Sequence, residues 1–404
     1  MNAASVPPKL SMVQLLVCGA AIVTLSMGIR HGFGLWLQPV TMERGWTRET
    51  FSFAFAVQNL VWGLFGPVTG MLADRFGALR VLAIGSVLYA SGLAVMAVAT
   101  SSVAFLFGVG LLIGIAQSGT TYAVVYGVIA RNVPAEKRSW AMGITAAAGS
   151  FGQFLLVPVE TGLIGSIGWQ NALFVLACMA LVIGPLAVGL REPATHAAAH
   201  PQSVGSAVRE AFGNPSFRWL TAGYFVCGFQ VVFIGVHMPS YLKDKGLSPQ
   251  VAGYALALIG LFNVFGTFGA GVLGQRFKKA NILTFIYFAR AVAIAVFVFA
   301  PVTPFSVYVF ASAMGLLWLS TVPATTAIVA QIFGVAHLSM LGGFIFLSHQ
   351  VGSFMGVWLG GVVYDRTGSY DLVWYVAIAL GVFAALINLP VDERAIARPG
   401  MASA

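Results

Sequence analysis

Twelve stretches of about twenty mainly apolar residues, each long enough to cross a bilayer, follow one another along this chain. They fall at residues 12–37, 51–73, 81–99, 103–130, 139–163, 169–190, 219–242, 251–273, 282–301, 305–330, 339–363 and 372–390. Most contain few or no charges, and several contain the Gly and Pro that lipid-embedded helices tolerate. The pattern predicts an all-α polytopic membrane protein with twelve transmembrane helices. Composition excludes the alternatives. A soluble protein of this length, about 25% charged, would carry roughly 100 charged residues; this chain carries 33, from 21 basic and 12 acidic side chains. That deficit rules out a soluble two-domain enzyme, a nucleic-acid binder and a disordered chain. The three cysteines, Cys18, Cys178 and Cys227, all sit in apolar runs and read as small buried hydrophobes. The first dozen residues lack the pattern of a cleaved signal peptide, so the first span is expected to stay.

Basic residues set the expected orientation. With the N-terminus in the cytoplasm, fourteen of the 21 Lys and Arg fall in inside segments, five outside and two, Arg30 and Arg290, within spans. Both termini are then cytoplasmic, in a bacterial inner membrane. The pI of about 9.7 reflects basic loops facing anionic lipid headgroups, with no nucleic-acid partner. The longest polar stretch divides the chain into a six-helix half at 1–190, a cytoplasmic linker at 191–218 and a second half at 219–404. Within the linker, Ser203–Phe217 is expected to form a short amphipathic helix. His196 and His200 have no acidic or Cys neighbours, so no metal site is expected there.

A shift of about 201 residues brings the halves into register. Gly70–Gly77 (GMLADRFG) falls on Gly271–Lys278 (GVLGQRFK), and Arg44–Thr47 (RGWT) on Lys245–Ser248 (KGLS). Two parallel six-helix repeats are an architecture of secondary transporters.

Gly70–Arg80 (GMLADRFGALR) resembles the major facilitator signature between helices 2 and 3. The resemblance implies the major facilitator fold and a gating latch at Asp74, Arg75 and Arg80; as a lone carboxylate at a helix end, Asp74 is expected to pair with Arg75 or Arg80 or to accept from a helix N-terminus of the other half. Gln275 stands at the matching position of the second copy. Asn132–Gly143, Trp318–Thr326 and Phe346–Gly361 are similar to bacterial monocarboxylate transporters and oxalate:formate antiporters. The pattern departs from those relatives in places. His349 occupies the helix 11 position where oxalate porters place a Lys, and no Arg occurs in Phe265–Gly271 of helix 8.

Ionisable groups inside spans are expensive, so each is a functional candidate. Arg30 and His31 lie in GIRHGFG of the first span, where an Arg fork suits a carboxylate and His31 suits a proton. Glu160 is the one carboxylate well inside a span, and an Arg30–Glu160 pair is expected. His349, with Ser348 and Gln350, forms a polar patch in helix 11; Arg290 lies mid-span in helix 9; His237 is a gating candidate near an outer mouth. Tyr122 and Tyr126, with Gln117, Thr120 and Thr121, place hydroxyls and amides on adjacent turns of helix 4, and Asn263 is a lone amide in helix 8. Each of these could instead serve helix packing.

The expected function is secondary transport of a small organic anion, a monocarboxylate. Arg30, His31, Tyr122, His349, Arg290 and Gln350 would meet the substrate, and His31 and Glu160 would carry a co-transported proton. No enzyme chemistry, cofactor or metal is expected, and the protein is expected to act as a monomer. Anion exchange and export of small hydrophobic compounds are the alternatives.

Overall fold

A computed structural model of the chain describes residues 11–191, 204–334 and 338–396. Among them, twelve helices are long and apolar enough to cross a membrane. They are α1 (Met12–Arg44), α2 (Arg48–Phe76), α3 (Ala78–Val98), α4 (Ser102–Ile129), α5 (Trp140–Ile167) and α6 (Trp169–Leu190). The second set is α7 (Pro215–Asp244), α8 (Pro249–Leu273), α9 (Lys279–Phe299), α10 (Pro304–Phe333), α11 (Met340–Thr367) and α12 (Asp371–Asn388). His196 and His200 lie outside the described residues.

The chain forms two compact units, Met1–Ala198 and Ala199–Ala404. In the first, α1 packs along α5, α2 along α4 and α3 along α6; in the second, α7 packs along α11, α8 along α10 and α9 along α12. The same pairings recur six helices apart, as two copies of one repeat require. Lipid offers no hydrophobic drive for helix association, so close backbone approach must supply it. On α5, a β-carbon at Gly152 would run into the backbone of Thr24 on α1. On α11, β-carbons at Gly352 and Gly356 would run into the carbonyls of Phe225 and Phe229 on α7.

The repeat is also visible in a turn. Gly45 and Gly246, 201 positions apart, adopt positive φ values of 66° and 82° between the first two helices of each unit. That left-handed turn suits glycine and satisfies a carbonyl of the last helical turn, here Gly45 N–H to Thr41 O. Thr47 then opens α2, its Oγ1 accepting from Thr50 N at 3.1 Å.

Among the described residues α6 is interrupted at Val182, and three further helices break beside the polar residues of the spans. α1 leaves α geometry at Gly32, passes through a 3-10 turn at Phe33–Trp36 and resumes at Leu37–Arg44. α4 contains a π segment at Leu106–Ile113 and breaks at Thr121, where φ is −105° and ψ −154°. α10 breaks between Pro304–Leu317 and Thr321–Phe333. Breaks at membrane depth are tolerated only where other groups satisfy the freed backbone, and in transporters they mark binding sites. At the start of the second unit, a short helix at Val204–Gly213 falls within the predicted 203–217 segment; Ala207 and Ala211 are buried, and Phe212 packs edge-on against Phe217 and Phe344.

Candidate functional site

In the first unit, the last turn of α1 before its break carries Arg30. Its Nη2 donates to Asn59 Oδ1 on α2. Its guanidinium lies over the Trp62 ring, 4.7 Å from the ring centroid. Asn59 is itself locked, its Nδ2 donating to Phe55 O at 2.7 Å. Arg30 Nε is buried without a partner. Tyr89 and Tyr122 lie within electrostatic reach of the guanidinium. The Tyr122 hydroxyl rests on Gly149 of α5, where a β-carbon would strike it. Both amide atoms of buried Gln117, on α4 just ahead of the break at Thr121, make no hydrogen bond of good geometry.

Glu160 does not pair with Arg30. Its carboxyl sits against Gly32 of α1, at the start of the break, and a β-carbon there would collide with Oε2. The residue is fully buried and both oxygens lack a hydrogen-bond partner. The expected ion pair therefore gives way to two separate groups: a cation held by neutral partners and an unpartnered carboxyl two residues along α1. Helical geometry explains this, since Arg30 and Gly32 point to different sides of α1. His31 Nδ1 donates to Met27 O at 2.6 Å, which uses one ring nitrogen on its own helix.

In the second unit, Arg290 is fully buried on α9 and reaches the break of α10. Its Nε and Nη2 donate to Leu317 O at 3.0 and 2.6 Å, and Nη2 also donates to Trp318 O. From α8, Asn263 Oδ1 accepts from Leu319 N at 2.9 Å. These are the backbone groups that the break leaves open. A cation at a helix C-terminus is also favoured by the helix dipole. Arg290, expected as a substrate ligand, thus spends most of its donors on a helix clamp; Nη1 alone is buried without a partner.

His349 donates from Nδ1 to the adjacent, fully buried Gln350 Oε1 at 3.0 Å, stacks against Phe346 and lies 5.3 Å from the Tyr224 ring. Cys227 Sγ lies 3.5 Å from Thr321 Oγ1, at the first turn after the α10 break, and within electrostatic reach of both Arg290 and His349. The structure thus brings His349, Gln350 and Arg290 to one polar region of the second unit, and Arg30, Tyr122 and Glu160 to one region of the first.

The gating candidates fare differently. Asp74 pairs with Arg131, just beyond α4, at 2.6 Å, in place of the expected Arg75 or Arg80. Arg75 lies over the ring of its neighbour Phe76, and both Arg75 and Arg80 are exposed. The pair ties the end of α2 to the end of α4. His237 does not line a mouth: it is fully buried, donates from Nε2 to Val357 O at 2.8 Å and accepts at Nδ1 from Tyr370 at 3.1 Å. It joins α7, α11 and the turn before α12.

Sequence reasoning missed Asn59, Trp62 and Tyr89. The signal for Asn59 was present, since an amide in the apolar run Ala56–Gly63 must find a partner. Trp62 looks like any lipid-span aromatic until α1 and α2 are packed.

A model of the Major Facilitator Superfamily matches residues 16–323. The uncharacterized MFS-type transporter YcxA of Bacillus subtilis (strain 168) is 26% identical over 382 residues, spanning 89% of this chain and 90% of that protein. Monocarboxylate transporter 13 of Rattus norvegicus is 25% identical, spanning 91% of this chain and 86% of that protein. Among solved structures, the nucleoside transporter NupG superposes with a TM-score of 0.78 at 14% identity, covering 93% of this chain and 99% of its own. A bacterial homolog of the human lysosomal transporter Spinster gives 0.73 at 16% identity, covering 93% and 96%. At these identities the superpositions speak to the fold.

Proposed function

The chain belongs to the Major Facilitator Superfamily, and on that premise we propose that it carries a small organic anion, a monocarboxylate, together with a proton. Transport is by alternating access, by a monomer in a bacterial inner membrane with both termini cytoplasmic. One observation carries the anion reading: Arg30 sits in a spanning helix, beside a helix break, with no carboxylate paired to it among the described residues. An uncompensated guanidinium at membrane depth is costly, and a substrate carboxylate would relieve that cost with bidentate bonds. Tyr122 is the secondary contact. The similarity to monocarboxylate transporter 13 supports the same class.

Glu160 is the favoured proton site. A buried carboxyl with no donor or cation on it is relieved by a proton, whereas one nitrogen of His31 is already engaged on α1. Protonation of Glu160 against the α1 break would then accompany anion binding two residues away.

Uptake into proteoliposomes tests both parts. With labelled propionate or benzoate and an inward proton gradient, the wild-type protein should accumulate label and Arg30→Ala should not. Accumulation by Arg30→Ala at the wild-type level removes the anion site from Arg30. Glu160→Gln should bind the same probes yet lose the response to the gradient. An unchanged response removes Glu160 from coupling.

A further inference from the structure

We infer that Asn59 and Trp62 are positioning residues for anion binding at Arg30, and that the neutrality of position 59 keeps the arginine's charge available to a ligand. The inference rests on the reading that Arg30 binds the anion.

The strongest natural partner for a half-buried guanidinium such as that of Arg30 is a carboxylate, in a bidentate pair. At Arg30 that place is taken by an amide. Asn59 is 1% exposed. Its Nδ2 is tied to Phe55 O, one turn back on the same helix, which directs Oδ1 at the guanidinium. The side chain is oriented by its own helix and presents a neutral acceptor to the guanidinium. Trp62, three residues on, shares that helix face and places its ring under Cζ at 4.7 Å. A ring face attracts a cation without neutralising it. The nearest acidic candidate, Glu160, is turned to Gly32 and makes no bond to Arg30. The two α2 side chains thus hold the fork in one orientation, while Nε stays without a partner and the net charge stays whole.

This assigns position 59 a role that stability alone would not select. Aspartate is nearly isosteric with asparagine: it gives up the bond to Phe55 O but gains a charged pair with the guanidinium, the stronger of the two interactions. Were Asn59 merely structural, Asn59→Asp would be the benign change and truncation or an apolar swap the damaging one. The positioning role inverts that order. The introduced carboxylate would occupy the guanidinium in place of the ligand, as an internal competitor.

The test compares purified full-length variants in detergent, titrated calorimetrically with propionate and benzoate. Propanamide and benzamide serve as neutral controls, and the melting temperature of each unliganded protein is recorded. Asn59→Asp should melt near the wild-type temperature, the ion pair offsetting the lost bond to Phe55 O, yet bind both carboxylates at least about tenfold more weakly. Asn59→Ala should bind more tightly than Asn59→Asp. Wild-type affinity in Asn59→Asp, or weaker binding by Asn59→Ala than by Asn59→Asp, overturns the inference. If Asn59→Asp yields no folded protein, Asn59→Leu and Trp62→Leu decide: the inference predicts about tenfold weaker binding in both, and wild-type affinity in either overturns it. Arg30→Ala, run in parallel, separates the two claims. Binding intact in Arg30→Ala defeats the anion site itself, whereas binding lost there but intact in Asn59→Asp defeats only the role of Asn59.

Discussion

The two intramembrane arginines are held in opposite ways. Arg290 gives Nε and Nη2 to carbonyls freed by the α10 break, making three bonds to backbone that cannot leave. Arg30 gives one nitrogen to an amide, rests on a ring and keeps Nε unspent beside the α1 break. Neither has a carboxylate partner among the described residues. An arginine within a span is therefore a weak indicator of a ligand site until its donors are counted. Each of the two keeps one buried nitrogen without a partner, so the difference is in what is committed: three bonds to fixed backbone at Arg290 against one to a side-chain amide at Arg30.

The comparison breaks most readily at Arg290. Removing that side chain strands two buried carbonyls, so Arg290→Ala should lower stability by about 3 kcal/mol or more, seen as a large drop in melting temperature. Arg290→Lys should recover part of the loss. A variant that melts like wild type but no longer binds carboxylates would make Arg290 the ligand site after all. At Arg30 the expected loss is of recognition. Arg30→Lys keeps the charge but not the planar fork, so propionate should bind about tenfold more weakly at nearly unchanged melting temperature. A drop in stability like that of Arg290→Ala would erase the distinction. The remaining prediction concerns the contact of Gly32 with Glu160. Gly32→Ala places a methyl on the Glu160 carboxyl and should cost about 1–3 kcal/mol as an overpacked contact. Combining it with Glu160→Ala should return most of the stability, whereas additive losses would mean the two residues do not touch.

The spans were legible because apolar length is a local property, and the repeat because its turns need particular residues. Gly45 and Gly246 mark the same left-handed turn in both halves, and the motif alignment found them. The equivalent of Gly77 is Lys278, with an ordinary φ of −57°, which fits the weaker motif of the second copy. The pairings within the site were not legible. Arg30 and Glu160 each stood out as costly, yet whether they meet depends on a rotation about α1 that composition does not encode. His237 stood out for the same reason and proves to be a bridge between helices. Asp74 was assigned neighbours in sequence, while its partner Arg131 lies 57 residues away. Ionisable residues announce that a partner is needed; packing decides which.

The glycine contacts between paired helices also have a mechanical meaning. Where Gly152 lies on Thr24, and where Gly352 and Gly356 lie on Phe225 and Phe229, backbone touches backbone and leaves no side-chain layer to shear. Those pairs are the stiff members of each unit. Compliance is left to the places where the helical ladder is already open: the 3-10 turn after Gly32, the break at Thr121 and the gap before Thr321. Bending within a unit is expected to concentrate there, next to Arg30, Gln117 and Cys227, so a change of shape would displace those polar groups first.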